Sequence, residues 1–286
     1  MVRTVALVTD STALLPAETA AARDITVVPL QVVVGSQAYD EGAGAEATPE
    51  TIAEALKAWS PVSTSRPAPA VFLEAYEQAA RRGAEEVLSI HLSGELSGTF
   101  ESARLAAREA SVPVRAVDTR QLGMGVGFAV LTAADVLDDG GSAEKAAGAA
   151  LARADGTTSL FYVDTLEYLR RGGRIGAGAA LLGSALAIKP LLQIVDGRVD
   201  TVEKVRTSAR ALSRLEELAV AAAGDRRVDV AVAHLASPDR AETLATRLRG
   251  RLAAQLGDHE VWVGQVGAVI GAHVGPGMVA VVVSLR

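Results

Sequence analysis

Short apolar runs of strand length alternate along this chain with stretches whose apolar residues recur at helical spacing. Val5-Ala6-Leu7-Val8 reads as a strand, and Pro16-Ala17-Glu18 opens a helix with proline in its first turn. Ile25 to Val34 is a long β-branched run, with Gln37 to Glu41 as a returning hairpin arm after Gly35. Thr48-Pro49-Glu50 caps a helix reaching Trp59, Ser60 to Pro69 is a Ser/Pro loop, and a helix from Ala70 to Arg82 closes at Gly83. Val87 to Leu92 is a buried strand, Phe100 to Ala107 a helix, and Val114 to Asp118 the next strand. Gly123, Gly125 and Gly127 form a flexible turn before a helix centred on Val130, and Ser142 to Ala154 is a further amphipathic helix. This alternation predicts parallel strands joined by helical crossovers, with helices on both faces of the sheet.

Asp155-Gly156 marks the expected boundary, giving an N-terminal α/β domain of residues 1–156 and a C-terminal α/β domain of residues 157–286. In the second, Thr158 to Val163 is a strand, Thr165 to Arg171 a short helix, and a further helix runs to Ile188, stopped by Pro190. Leu191 to Val195 and Arg198 to Val205, joined by Asp196-Gly197, read as a β-hairpin. Trp262 and Val263 lie in a penultimate strand, and Met278 to Ser284 forms the last after the break at Gly275-Pro276-Gly277. Two α/β lobes with a cleft at the carboxyl ends of their strands is the expected architecture.

Composition narrows the function. Of the 286 residues 49% are apolar but only 3% aromatic, which suits helices lying close on a sheet. A net charge of −6 opposes a nucleic-acid role. The absence of cysteine excludes disulfide and thiolate chemistry. No signal peptide and no run of membrane-spanning length is legible, so the expected location is the cytoplasm. No His/Asp/Glu cluster has metal spacing, and no metal is expected. No nucleotide-binding loop is present.

The chemistry concentrates at Ser93-Gly94-Glu95-Leu96-Ser97-Gly98-Thr99, a strand-to-helix turn with Ser97 as the expected N-cap. Backbone N–H groups there, Gly94 among them, suit a phosphate or carboxylate, although Ser and Gly also serve ordinary turns. His273 lies in a Gly-rich loop. His91 reads as a core or cleft-edge residue, and His234 and His259 as structural or surface residues. Asp10, Asp118 and Asp164, each at a strand's carboxyl end, read as turn and helix caps rather than catalytic acids.

Several segments together resemble one family. They are Val8 to Thr12, Thr64 to Pro69, Ser93 to Thr99, Val163 to Gly176, Ile188-Lys189-Pro190, Lys204-Val205-Arg206 and Gly271 to Gly277. Asp164-Thr165-Leu166-Glu167-Tyr168 and His273-Val274-Gly275-Pro276-Gly277 are the specific parts. In order and extent these resemble the DegV family, bacterial fatty-acid-binding proteins that form the lipid-carrying component of a fatty acid kinase. The resemblance implies a two-lobed fold, a parallel-sheet N-terminal domain and an α/β C-terminal domain, with one long-chain fatty acid between them in an apolar tunnel. It implies Thr64 and Ser93 as carboxylate ligands, with Gly94, His273 and Arg206 at the same site, no cofactor and no catalytic residue. A separate ATP-dependent kinase would convert the bound acid to acyl phosphate for phospholipid synthesis. Arg170, Arg171 and Arg174 are either a solvated helix end or the docking surface for that kinase. Arg66, Ala68, Gly94, Glu95 and Ala272 depart from the family pattern. The rival reading is a Ser/His hydrolase or acyltransferase using Ser93 or Ser97 with His273, but no G-x-S-x-G elbow is present.

Overall fold

The computed structural model describes residues 4–42, 47–175 and 189–286. The chain divides into two compact units, one of Met1–Gln31 with Ser65–Asp155 and one of Val32–Thr64 with Gly156–Arg286.

The first unit is built on four parallel strands, Val5–Asp10 (β1), Ile25–Val28 (β2), Glu86–His91 (β6) and Val114–Asp118 (β7), in the order β2-β1-β6-β7. Adjacent strand residues point to opposite faces, so each strand feeds two cores. Leu7 and Leu88 pack with Val126, Val130 and Ala146 beneath the helices Met124–Asp138 and Ala143–Asp155. Val8 and Val87 pack on the other face with Phe72, Tyr76 and Ala103, from the helices Pro69–Arg81 and Thr99–Ala106. Burial on both faces is why the central strands β1 and β6 read as mainly apolar runs rather than alternating ones.

Gly125 and Gly127 lie inside the helix Met124–Asp138, not in a flexible turn before it. A Cβ on Gly127 would stand 2.6 Å from the Ala13 carbonyl oxygen, so this glycine permits close packing. The turn 93–99 also starts its helix differently from expectation. The cap position is Gly98, and Ser97 Oγ instead accepts the Thr99 N–H at 3.3 Å.

In the second unit Lys189–Val195 (β9), Arg198–Val205 (β10), Thr157–Tyr162 (β8), Val279–Leu285 (β13), Val228–His234 (β11) and Trp262–Gln265 (β12) form one mixed sheet. Its order is β10-β9-β8-β13-β11-β12. The 189–205 hairpin turns at Asp196-Gly197 as the sequence indicates. Helices Ser208–Ala223 and Pro238–Arg251 bring Leu215, Ala219, Leu244 and Leu248 onto Val230, Val232, Val281 and Val283. The helix expected before Pro190 falls on residues 176–188, outside the described residues.

Residues Val32–Thr64 group with this second unit, whereas the sequence reading assigned them to the first. The expected strand Ile25 to Val34 is in fact two strands. Pro29 cannot donate a ladder hydrogen bond, and the chain leaves β2 there. It re-enters at Gln31–Val34 (β3), which lies between Gln37–Asp40 (β4) and Val62–Ser65 (β5) in a three-stranded sheet. The helix Pro49–Lys57, capped by Thr48 Oγ1 on the Thr51 N–H, packs on the helix Ala268–Val274.

Candidate functional site

Thr64 sits on β5, not in a loop; its neighbours Val62 to Ser65 alternate between half-buried and exposed, as on a strand with one covered face. His273 lies in the last turn of the helix Ala268–Val274, not in an open loop, and that helix ends at Gly275. Thr64 Oγ1 and His273 Nε2 are 2.9 Å apart. His273 Nδ1 is buried without a hydrogen-bond partner. The imidazole stands over Gly172, where any Cβ would collide with Nδ1. Burial pushes the His273 pKa down to about 4, and the positive charge of Arg174 adds to the effect. The ring is therefore neutral at pH 7.

Arg174 is half-buried and its Nη1 donates to the Gly172 carbonyl. Arg170 and Arg171 behave differently. Both are exposed and share Glu167: Arg170 Nη2 donates to Oε1 at 2.8 Å and Arg171 Nε to the same oxygen at 2.7 Å. The Arg171 guanidinium also lies 4.9 Å from the ring centre of Trp59, whose side of the chain is left open to solvent. The three arginines thus divide between the His273 environment and a solvent-facing helix.

Arg206 is exposed, immediately after β10, and no described hydrogen bond or ion pair ties it to the Thr64–His273 pair. Close by in sequence, Ser208 Oγ pairs with Tyr162 Oη at 2.9 Å, and Tyr162 Oη donates to Asp164. Asp164 is ion-paired rather than a turn cap, 3.6 Å from Lys189 Nζ and 3.5 Å from Arg240 Nη1. It lines a polar cavity of about 470 Å³ with Lys57, Ser237 and Arg240.

In the first unit Ser93 is fully buried, its N–H donating to the Gln121 carbonyl at 2.9 Å and its Oγ accepting the Glu95 N–H at 3.2 Å. The Gly94 N–H donates to Asp118 Oδ2 at 3.1 Å, so this amide already has a carboxylate partner of its own. A ligand carboxylate at this amide would have to share it with Asp118. Asp118 also accepts the Arg120 N–H and Asp10 the Thr12 N–H, both as turn acceptors. The Arg66 guanidinium lies across Gly98 and its charge is felt at Glu101. The family resemblance put Thr64 and His273 at one site, but no local pattern announces their direct contact, the two being 209 residues apart. The buried Asp10–His91 pair, 2.9 Å between Oδ2 and Nδ1, was equally hidden.

Among the described residues no three His, Cys, Asp or Glu side chains gather as a metal site, and no helix is long and apolar enough to cross a membrane.

A family model described as an uncharacterised protein of the DegV family matches residues 4–286. A DegV domain-containing protein of Streptomyces coelicolor is 54% identical over 286 residues, covering 100% of both chains. One from Deinococcus radiodurans is 42% identical over 282 residues, 97% of each. Among solved structures, a fatty-acid-binding DegV family protein from Thermus thermophilus is 35% identical with a TM-score of 0.90, covering 99% of this chain and 100% of that one. The Bacillus subtilis DegV, a fatty acid binding protein, is 30% identical with a TM-score of 0.89 at the same coverage.

Proposed function

The chain belongs to the DegV family, and from that premise we propose that it binds a long-chain fatty acid in an apolar tunnel and presents the carboxylate to a separate ATP-dependent fatty acid kinase. The relatives from Thermus thermophilus and Bacillus subtilis, described as fatty-acid-binding, support the ligand class. The observation that carries the reading is the Thr64–His273 pair.

An isolated carboxylate in an apolar cleft is costly unless donors meet it. His273 supplies one indirectly. With its hydrogen on Nε2 the neutral ring donates to Thr64 Oγ1, leaving Nδ1 as a bare acceptor against Gly172. The Thr64 hydroxyl then has its own hydrogen free to donate to the carboxylate. Arg174, felt at His273, provides the compensating positive charge. In this reading Arg174 serves the ligand, and of the three docking candidates Arg170 and Arg171 remain for the kinase. Ser93 enters as a second hydroxyl on the strength of the family pattern. Each acyl methylene removed from water adds about 0.8 kcal/mol, enough over a long chain to retain the ligand.

In this reading the chain is a cytoplasmic carrier, and the acyl phosphate it releases is an activated donor for phospholipid synthesis. The hydrolase alternative lacks support in the geometry: His273 Nδ1, where a triad's acid would sit, has no partner. Native mass spectrometry of freshly purified protein tests the reading. A co-purifying mass equal to a long-chain fatty acid supports it, and a consistently empty protein with esterase turnover overturns it.

A further inference from the structure

A hydrogen-bonded chain of buried side chains runs beneath the Ser93 turn and has no part in the carrier reading. Tyr76 Oη donates to Ser89 Oγ at 2.9 Å, and Ser89 Oγ lies 2.7 Å from His91 Nε2. His91 Nδ1 lies 2.9 Å from Asp10 Oδ2, which also accepts the Leu92 N–H at 3.2 Å. Asp10 Oδ1 accepts from Thr12 twice, from the N–H at 3.1 Å and from Oγ1 at 2.6 Å. Tyr76, Ser89, His91 and Asp10 are each 0% exposed.

The order Ser–His–Asp is that of a hydrolase triad, but Ser89 lies mid-strand rather than on a strand-to-helix turn, with its oxygen already accepting from Tyr76. The chain is instead anchored at its carboxylate end: an ionised Asp10 oxygen only accepts, so the contact with His91 needs a hydrogen on Nδ1, while Ser89 Oγ accepts from Tyr76 and meets Nε2 on the other side of the ring. Four donors converge on the one carboxylate at the end of β1. Two come from Thr12, just beyond β1; the other two come from His91 and Leu92, where β6 ends and the Ser93 turn begins.

We propose that Asp10 is a positioning residue for Ser93, clamping the exit of β6 to the exit of β1 so that the Ser93 hydroxyl keeps one orientation. This rests on the reading that Ser93 meets the ligand's carboxylate. Thr9 Oγ1 on the Ile90 carbonyl and Thr119 Oγ1 on the His91 carbonyl brace the same strand end from both sides, and Asp10 reaches one residue further, to the Leu92 N–H.

The test is a double-mutant cycle on fatty-acid affinity, measured by displacement of a fluorescent fatty acid, with Asp10→Asn, Ser93→Ala and the pair. Asparagine keeps the shape but turns an NH₂ toward converging donors, and about a tenfold loss of affinity is expected. If Asp10 acts through Ser93, adding Asp10→Asn to Ser93→Ala changes affinity by less than about twofold. Two-dimensional ¹⁵N NMR of the wild-type protein should show the His91 hydrogen on Nδ1, and Asp10→Asn should shift the amides of Leu92 to Ser97. Should Asp10→Asn fail to fold, Thr12→Val removes one donor at nearly constant shape and should give a smaller loss that also vanishes in Ser93→Ala. Additive losses, wild-type affinity in Asp10→Asn beside a weakened Ser93→Ala, or an Nε2–H tautomer of His91 would each overturn the positioning role while leaving the carrier reading intact. A wild-type protein that binds no fatty acid would overturn the carrier reading itself.

Discussion

Thr64 Oγ1 and His273 Nε2 meet at 2.9 Å from elements 209 residues apart, a strand of the three-stranded sheet and the last turn of a seven-residue helix. The contact turns two ordinary side chains into a directed pair, with a neutral ring behind a hydroxyl. Thr64→Val keeps the shape and removes the hydroxyl, and should weaken fatty-acid binding by about 1–3 kcal/mol, the cost of leaving a charged acceptor short of a donor. Unchanged affinity in a displacement assay would take Thr64 out of the site.

The environment of His273 makes a pH prediction with a definite sign. Its pKa is held at about 4 in the folded chain, against 6.5 ordinarily. Between those values the unfolded chain binds more protons, so folding stability falls as pH drops from 6.5 toward 4. His234 is pushed down by burial too and adds to the slope. His273→Gln should therefore keep part of the acid loss and shed the remainder, read as a smaller fall in Tm between pH 7 and 4.5 than in the wild type. Equal falls would mean that the imidazole is not desolvated.

Gly172 offers a steric test of the same pair. Its φ of −71° is open to any residue, so Gly172→Ala introduces no backbone strain. The new methyl would collide with His273 Nδ1. The ring must move away from Thr64, and fatty-acid affinity should fall about as far as in Thr64→Val, with a smaller change in Tm. Gly277→Ala is the contrast. Its φ of 92° and the collision of a Cβ with Asp164 Oδ2 predict a loss of stability, of order 1–3 kcal/mol for the backbone alone. Urea denaturation separates the two variants.

What the sequence makes legible here follows from the range over which each signal acts. Leu7 and Val8 announce a doubly covered strand because both neighbours are apolar, and Asp196-Gly197 announces a hairpin because the turn is local. Thr64 gave no such signal: a Val-Ser-Thr-Ser strand flanked by prolines looks like a loop until β3 is beside it. The same holds for His273, whose glycine neighbours suggest an open loop although Ala268 to Val274 closes a helical turn. Asp10 and His91 each read correctly as turn acceptor and core residue, yet their pairing depends on the β1–β6 register, Thr9 opposite Ile90, which no local pattern encodes. Residue types and strand ends were readable, and contacts between distant strands were not.

The three arginines after Glu167 should separate in a paired experiment that measures lipid affinity and acyl-phosphate formation with the kinase added. Arg170 and Arg171 are exposed, and among the described residues their contacts are with Glu167 and, for Arg171, with Trp59. Nothing in that arrangement touches the Thr64–His273 pair, so Arg170→Ala and Arg171→Ala should leave lipid affinity unchanged. Turnover should fall, because a guanidinium fork suits a carboxylate or phosphate on a partner. Arg174 is half-buried and its charge is felt at His273. Arg174→Gln should therefore lower lipid affinity first, and should also let the His273 pKa rise toward its ordinary value, visible in the pH dependence of its ring proton resonances. Loss of affinity in all three variants would merge the two groups into one ligand site. Turnover intact in Arg170→Ala and Arg171→Ala would remove the docking role, and a His273 titration unmoved by Arg174→Gln would detach Arg174 from the pair.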